Sequence, residues 1–395
     1  VSFVASLEDR HVSMIDPATS DEVPMMETPP GPVVRIDGRS YRYFGGTSYY
    51  GLHGHAEVIA AGCEAFRRYG LHTATSRAGF GHSEPLLEVE QRAAEQAGRA
   101  AGFYFSSGYA ANHILVQAVG RVDAVFIDES AHFCVAEAAR LPGCPIFRFQ
   151  ARDVDHLREL FALHLPPGGV PLVMTDGVVP ATGHLAPLDH YVGLLRDHAP
   201  AVLLVDDAHG LGVFGASGKG SLEHFGLQDR ANGGGGAEGV AVMSGATLGK
   251  AMGGFGGIIT GSADFIRHVR ACSHYHDGAS APPTPVAAAS AKSLELIAAE
   301  PGFQARLLAN SRLLRDGLRA LGLAVHDAPS AHVGVAAGDA ANMARLHRGL
   351  REAGLLVPVS SYVGTGPEGL LRFAVCSAHT AEMIDELLFS LRELL

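Results

Sequence analysis

The chain has 395 residues, 47% of them hydrophobic and 18% charged, the balance of a soluble globular protein long enough for two or three domains and a large core. Its 41 acidic against 30 basic residues give a net charge of −11, which argues against a surface built for nucleic acid or an anionic membrane and leaves room for local basic pockets. No window approaches the roughly 18 consecutive apolar residues of a membrane span, and five scattered cysteines without a Cys-x-x-Cys pair suggest neither a disulfide framework nor a zinc site.

In chain order, residues 1–45 read as an extended, proline-rich arm (Met25-Met-Glu-Thr-Pro-Pro-Gly-Pro32) that ends in a hairpin over Val33–Tyr43, turned at Asp37-Gly38. From 46 to 283, apolar strand candidates alternate with helical patterns. The strands predicted are Val125–Asp128, Pro145–Phe149, Val170–Thr175, Ala201–Asp206, Val240–Ser244 and Gly257–Thr260, with a shorter apolar strand before Ser106. Such alternation predicts an α/β fold, a mostly parallel sheet covered by helices on both faces. Asn232–Gly236 reads as a flexible surface loop. After Pro282-Pro283, residues 284–395 read as a smaller domain, helix-rich and then βαβ-like.

Chemistry concentrates at two strand ends. Only three lysines occur, Lys219, Lys250 and Lys292. Lys250 follows the strand Val240–Ser244 in a run of glycines and apolar residues, so its amine is expected to be partly desolvated, with its pKa lowered toward neutrality. A lysine of that kind serves as a nucleophile in Schiff-base chemistry. The run Ala201–Val205 ends in Asp206, with His209 three residues on. A parallel strand delivers such a last side chain to the carboxyl edge of the sheet. Lysine, carboxylate and imidazole at one edge match what pyridoxal phosphate requires, an amine for its aldehyde and an anion for its ring nitrogen. Ser106-Ser-Gly-Tyr109 leads from a strand into a helix, so its free N–H groups point at an anion. His53-Gly-His55 and His274-Tyr-His276 lack a third metal ligand at a recognised spacing, and no metal is expected.

Asp206-Asp-Ala-His-Gly-x-Gly-x-x-Gly-x-x-Gly-Lys-Gly220, followed by Thr247-Leu-Gly-Lys-Ala-x-Gly-Gly-x-Gly-Gly257, resembles the α-oxoamine synthase family of fold-type I pyridoxal-phosphate enzymes, and the similarity runs from about Phe44 to the end. The resemblance implies a mostly parallel seven-stranded sheet in the large domain and a smaller α/β C-terminal domain. It implies that Lys250 carries the cofactor and moves the substrate α-proton, that Asp206 pairs with the ring nitrogen, that His132 stacks on the ring and that His209 bonds near the ring hydroxyl. Ser107, Gly108, Tyr109 and Thr247 would hold the phosphate. Arg372, in Gly369-Leu-Leu-Arg-Phe-Ala-Val-Cys-Ser-Ala-His-Thr380, would grip the substrate carboxylate, as a planar guanidinium can.

The family reaction is condensation of an amino acid with an acyl thioester, acyl-CoA or acyl carrier, with loss of carbon dioxide to leave an aminoketone. Transamination or lyase chemistry, or a non-catalytic binding protein on the same fold, are the alternatives. Several positions depart from the family pattern: Asp176, which would still contact the cofactor, stands for a glutamate, Pro180 for a cofactor-facing serine, Ser48 for an asparagine near substrate, Glu84 for a histidine, and Gly278-Ala-Ser280 for a Ser-Thr-Ser of the partner subunit. A homodimer is implied. A cytoplasmic setting is expected, because the first twenty residues lack the basic start and apolar stretch of a leader, although a chain starting at Val1 leaves a removed leader open.

Overall fold

The computed structural model describes residues 24–233 and 237–395, so the first half of the arm and glycines 234–236 lie outside the described residues. The arm's hairpin forms as expected, β1 (Val33–Ile36) against β2 (Arg39–Tyr43), with Asp37 and Gly38 both at positive φ, the pair of left-handed residues that a tight hairpin turn needs. A seven-stranded sheet follows, from β3 (Ala101–Phe105), β4 (Ala124–Asp128), β5 (Ile146–Phe149), β6 (Pro171–Asp176), β7 (Ala201–Asp206), β8 (Val240–Thr247) and β9 (Gly257–Gly261), in the order β3-β9-β8-β7-β6-β4-β5. β9 is antiparallel to both its neighbours and the remaining pairs are parallel.

The apolar runs explain the layering. Along β7 alternate residues enter different cores: Val202 and Leu204 join Ile114 and Leu115 on one face, and Leu203 and Val205 join Tyr191 and Leu195 on the other. Each such buried side chain contributes about 1.5–3 kcal/mol relative to exposure. Because both faces are apolar, the strand has no wet side, and its last residue, Asp206, is the first position where a polar group meets open space.

The C-terminal part departs from the βαβ-like expectation. β10 (His332–Val335), β12 (Val359–Ser360) and β13 (Leu370–Ala374) make an antiparallel sheet in the order β10-β13-β12, while β11 (Leu355–Leu356) pairs with β2 of the arm. The arm captures β11 through Arg42 N–H to Gly354 O and Phe44 N–H to Leu356 O, both at 2.9 Å, which leaves β13 free to pair with β10. The largest core runs through this junction, joining Tyr49 and Leu248 to Val333 and Phe373.

Asn232 also differs from its reading as part of a flexible surface loop. It is buried at φ 51°, and its side-chain amide donates to Ser244 O at 2.9 Å and Thr260 O at 2.8 Å, while its Oδ1 accepts Ser244 N–H at 2.9 Å. It fills the wedge where β8 and β9 diverge, using asparagine's tolerance for the left-handed region. Among the described residues no helix is long and apolar enough to cross a membrane, and the five cysteines are free thiols.

The loop after β6 meets the C-terminal part through stacked imidazoles, His184 and His326, with ring centres 4.1 Å apart. Thr182 binds both, its carbonyl to His326 Nε2 and its hydroxyl to His184 Nδ1, each at 2.9 Å. Burial, reinforced by Arg152 and Arg315, lowers both rings to about 4, with the His326 imidazole adding to the shift of His184. Unfolded imidazoles titrate near 6.5, so between about pH 6.5 and 4 the unfolded chain takes up protons that the folded chain refuses, and stability falls as pH falls. In a His184→Gln/His326→Gln double variant, the urea midpoint should therefore drop less between pH 7 and pH 5 than in the parent chain.

Candidate active site

Three parallel strands end side by side. Asp176 closes β6 and Asp206 closes β7, paired in register, and β8 runs two residues past the same level to Thr247 before the glycine-rich loop that carries Lys250. They open onto a cleft of about 750 Å³ lined by Lys250, Asp206, Asp176, His132, His209 and Thr247, together with Ser107, Gly108 and Tyr109. Nine of the residues singled out in the sequence thus share one wall. Ser48 and Arg372 are not on it: Ser48 is buried with its hydroxyl 2.6 Å from His53 Nδ1, and Arg372 lies behind Pro180, donating through Nε to the Pro180 carbonyl at 3.1 Å.

Lys250 has no carboxylate salt-bridge partner among the described residues. Burial holds its amine below the ordinary lysine range, and the carboxylates of Asp206 and Asp176 oppose that shift. The result is an amine with a larger unprotonated fraction at neutral pH than a surface lysine has. Arg372 is likewise 6% exposed and has no acid beside it. Its guanidinium spends one donor on Pro180, one on the Gly45 carbonyl at 3.4 Å and one on the Tyr49 hydroxyl at 3.4 Å, and of its five N–H groups two remain free, one on each terminal nitrogen. A buried guanidinium with free N–H groups has the chemistry to take a carboxylate.

Asp206 is fixed from two sides. Its Oδ2 accepts the Asn112 amide at 2.7 Å and lies 3.3 Å from the Cys134 thiol, and its Oδ1 accepts the Ala208 N–H at 3.0 Å. The carboxylate therefore cannot swing away from the cleft. Asp176 accepts the His132 backbone N–H at 2.7 Å, and burial together with the nearby Asp206 pushes its carboxyl well above the usual range, so it keeps its proton more tightly than a surface acid. Burial lowers His132 and, more strongly, His209. His132 Nδ1 accepts the Cys134 N–H at 3.1 Å, which leaves its ring proton on Nε2.

The anion corner is built by close packing. A Cβ added at Gly108 would come within 2.6 Å of Thr247 Cβ, so only glycine lets this turn lie against the β8 end. Ser107 Oγ caps the turn by accepting the Tyr109 N–H at 3.3 Å. Thr247 Oγ1 already donates to Gly256 O at 3.0 Å and accepts from Gly249 N–H at 3.1 Å, so gripping a phosphate as a donor would require its proton to turn away from Gly256. The glycine cradle at the start of the helical turn fits a phosphate, and the amine and carboxylate fit a pyridine aldehyde.

Five residues near the site were not predicted. Asn112 and Cys134 hold Asp206, and both lie close in sequence to predicted residues, Tyr109 and His132. Tyr49 lies one residue from Ser48, and His332 stands in β10 with nothing local to mark it. Tyr362 reaches in between β12 and β13, its ring 5.7 Å from His132 and 5.1 Å from Phe133. Of the paired histidines, His53 binds Ser48, His55 caps the helix Ala56–Tyr69, and His276 lies 2.9 Å from Asp277. No cluster among the described residues has the make-up of a metal site.

Comparison with known proteins agrees with this geometry. Residues 44–391 match the family model for aminotransferase class I and II. The chain belongs to that family. The chain is 36% identical over 373 residues to an 8-amino-7-oxononanoate synthase of Pseudomonas putida (94% of this chain, 92% of the relative) and 37% identical over 374 residues to one of Methylococcus capsulatus (93% of each). A structure of SPT with PLP internal aldimine superposes with a TM-score of 0.85 at 28% identity, as does a Sphingomonas wittichii serine palmitoyltransferase, each over 94% of this chain and 92% of the other. These relatives are α-oxoamine synthases, and this chain is a member of that group.

The Asn112 amide is the shortest contact to Asp206. In this α-oxoamine synthase, Asn112→Ala should weaken pyridoxal phosphate binding to the apo-protein about tenfold, the scale of one hydrogen bond to a charged group, as measured by fluorescence titration.

Proposed function

We infer that this protein is a pyridoxal-phosphate-dependent C-acyltransferase that condenses an amino acid with an acyl thioester and releases carbon dioxide, leaving an α-aminoketone. The observation that carries the reading is the pairing of a neutral-leaning amine, Lys250, with a pinned carboxylate, Asp206, in one cleft, beside a buried guanidinium that lacks an acid. When bound, pyridoxal phosphate supplies an aldehyde for amines and a ring that accepts electron density from the substrate α-carbon.

The chain's own residues divide the work. Lys250 Nζ is the nucleophile toward the aldehyde and, once exchanged for the substrate amine, the base that takes and returns the proton at Cα. Asp206 keeps a negative charge opposite the ring nitrogen, where positive charge is needed. His132, on the cleft wall, would stack on the ring. Arg372, behind Pro180, would take the α-carboxylate through its free N–H groups and so fix the orientation of the substrate at Cα, whereas Ser48 is tied to His53 away from the cleft. Pro180, Thr47 and Phe255 close the cleft with apolar surface.

Borohydride treatment of the cofactor-loaded protein followed by peptide mapping should label the peptide containing Lys250, and Lys250→Ala should lose both the label and more than 99.9% of turnover, since removing the nucleophile eliminates the covalent route. The substrate panel should begin with alanine and heptanedioyl thioester, the pair obtained by disconnecting the relatives' named product beside its ketone. Product formation that requires the thioester and releases carbon dioxide supports the reading; keto acid produced without any thioester would replace it by transamination.

A second copy of the chain is the partner that fits a surface groove lined by the exposed Ile59, Phe66 and Phe255, the last of which also lines the cleft, while Leu71 and Phe80 (96% exposed) add further apolar surface left in water. Monomers seldom leave so many large apolar side chains in water. Light scattering should give a dimer for the parent chain and a shift toward monomer for Phe66→Glu/Phe80→Asp.

A further inference from the structure

Behind the cleft wall four polar side chains from three distant parts of the chain meet in a buried cluster. The Tyr49 hydroxyl lies 2.8 Å from His209 Nδ1, 3.2 Å from His332 Nδ1 and 3.4 Å from Arg372 Nη2. His332 Nε2 lies 3.2 Å from the Val179 carbonyl. All four side chains are at most 6% exposed.

Counting protons leaves one self-consistent arrangement. The Val179 carbonyl can only accept, so His332 carries its proton on Nε2. A second proton on that ring would place a cation beside the Arg372 guanidinium, and burial together with that guanidinium drives His332 well below the ordinary histidine range, so its Nδ1 is a bare acceptor. Arg372 can only donate, and it donates to the Tyr49 oxygen. The Tyr49 proton then goes to His332 Nδ1, and the remaining contact is satisfied only if His209 Nδ1 donates its proton to the Tyr49 oxygen. Every contact within the cluster then sets a donor against an acceptor. The nitrogen of His209 left over is Nε2, without a proton, and His209 lines the cleft.

We propose that Tyr49 and His332 are positioning residues that lock His209 with its proton on Nδ1, so that a hydrogen-bond acceptor faces the cleft, and that the same phenol ties this lock to the carboxylate-binding guanidinium of Arg372. His132 is set the other way, with its proton on Nε2. The cleft therefore meets one imidazole that donates and one that accepts.

The scaffold holds His332 independently of the cluster. Its carbonyl accepts from the buried Arg315 at 2.8 Å, and a Cβ at Gly183 would come within 2.3 Å of that same oxygen, so the loop after β6 fits over β10 only because Gly183 has no side chain. His332 thus reaches Tyr49 from a rigid strand. The consequence for the reaction is a coupling. A carboxylate drawing on Arg372 pulls at the same oxygen that orients His209, so occupancy of the carboxylate site is transmitted to the group beside the reacting ring.

The tautomer can be read on the apo-protein, which makes the test independent of the proposed reaction. In protein labelled with 15N-histidine, with His209 assigned from the His209→Gln spectrum, Nδ1 should show the protonated shift and Nε2 the unprotonated one. Tyr49→Phe and His332→Leu should each collapse this pair toward an average of the two tautomers, and the double variant should go no further than either single one. His332→Asn, whose Oδ1 can still accept from Tyr49, should keep the parent pattern. Tyr49→Phe should in addition raise the KM of the amino acid about tenfold with a smaller change in kcat. A parent spectrum with the proton on His209 Nε2, or a His332→Leu spectrum identical to the parent's, would overturn the proposal. If the spectra behave as stated while no thioester-dependent product is found, the lock stands and the acyltransferase reading falls.

Discussion

The site depends on one constraint, the fixing of the Asp206 carboxylate where a fully buried strand runs out. The apolar residues of β7 leave that side chain no alternative but the carboxyl edge, and Asn112, Cys134 and the Ala208 N–H then hold both oxygens. Asp176, one strand over, is placed relative to it by strand register, and Lys250, on the other side, by the glycine-rich loop that leaves β8 two residues beyond the level of Asp206. A shift of one residue in the pairing of β7 would turn its alternate side chains into the wrong cores, so the same packing that stabilises the sheet also positions the chemistry.

Around that carboxylate the electrostatics are graded by burial. Lys250 and the histidines are pushed toward their neutral forms, while Asp176 is pushed toward its acid. The protein thus lines the cleft with groups biased toward their neutral forms rather than with fixed charges. The exception is Arg372, which cannot give up its charge and has only carbonyls and a phenol for company.

Much of this was legible in the amino-acid sequence because it follows from local pattern. Apolar runs of strand length marked every one of the predicted sheet strands, and a carboxylate ending one run with a lone lysine after the next marked the chemistry. The helix-turn signal at Ser107-Gly108 was equally local. What could not be read was long-range. Tyr49 and His332 are 283 positions apart, and neither residue type is unusual where it stands. The tail's antiparallel sheet and the pairing of β11 with the arm join strands far apart in the sequence, which composition does not reveal. Asn232 was misread because a glycine-rich neighbourhood signals a loop, whereas its own side chain serves as a backbone substitute between diverging strands.

The lone guanidinium has a bearing on selectivity. Any amine small enough to enter could in principle attack an aldehyde held in the cleft, and a cell is full of amines that are not amino acids. Those without an acid group leave Arg372 as isolated as before, so they forgo the attraction that a zwitterion gains on entry. With Arg372 as the carboxylate group proposed above, a preference for amino acids over polyamines and amino sugars comes from a residue set behind the cleft wall, before any second substrate takes part.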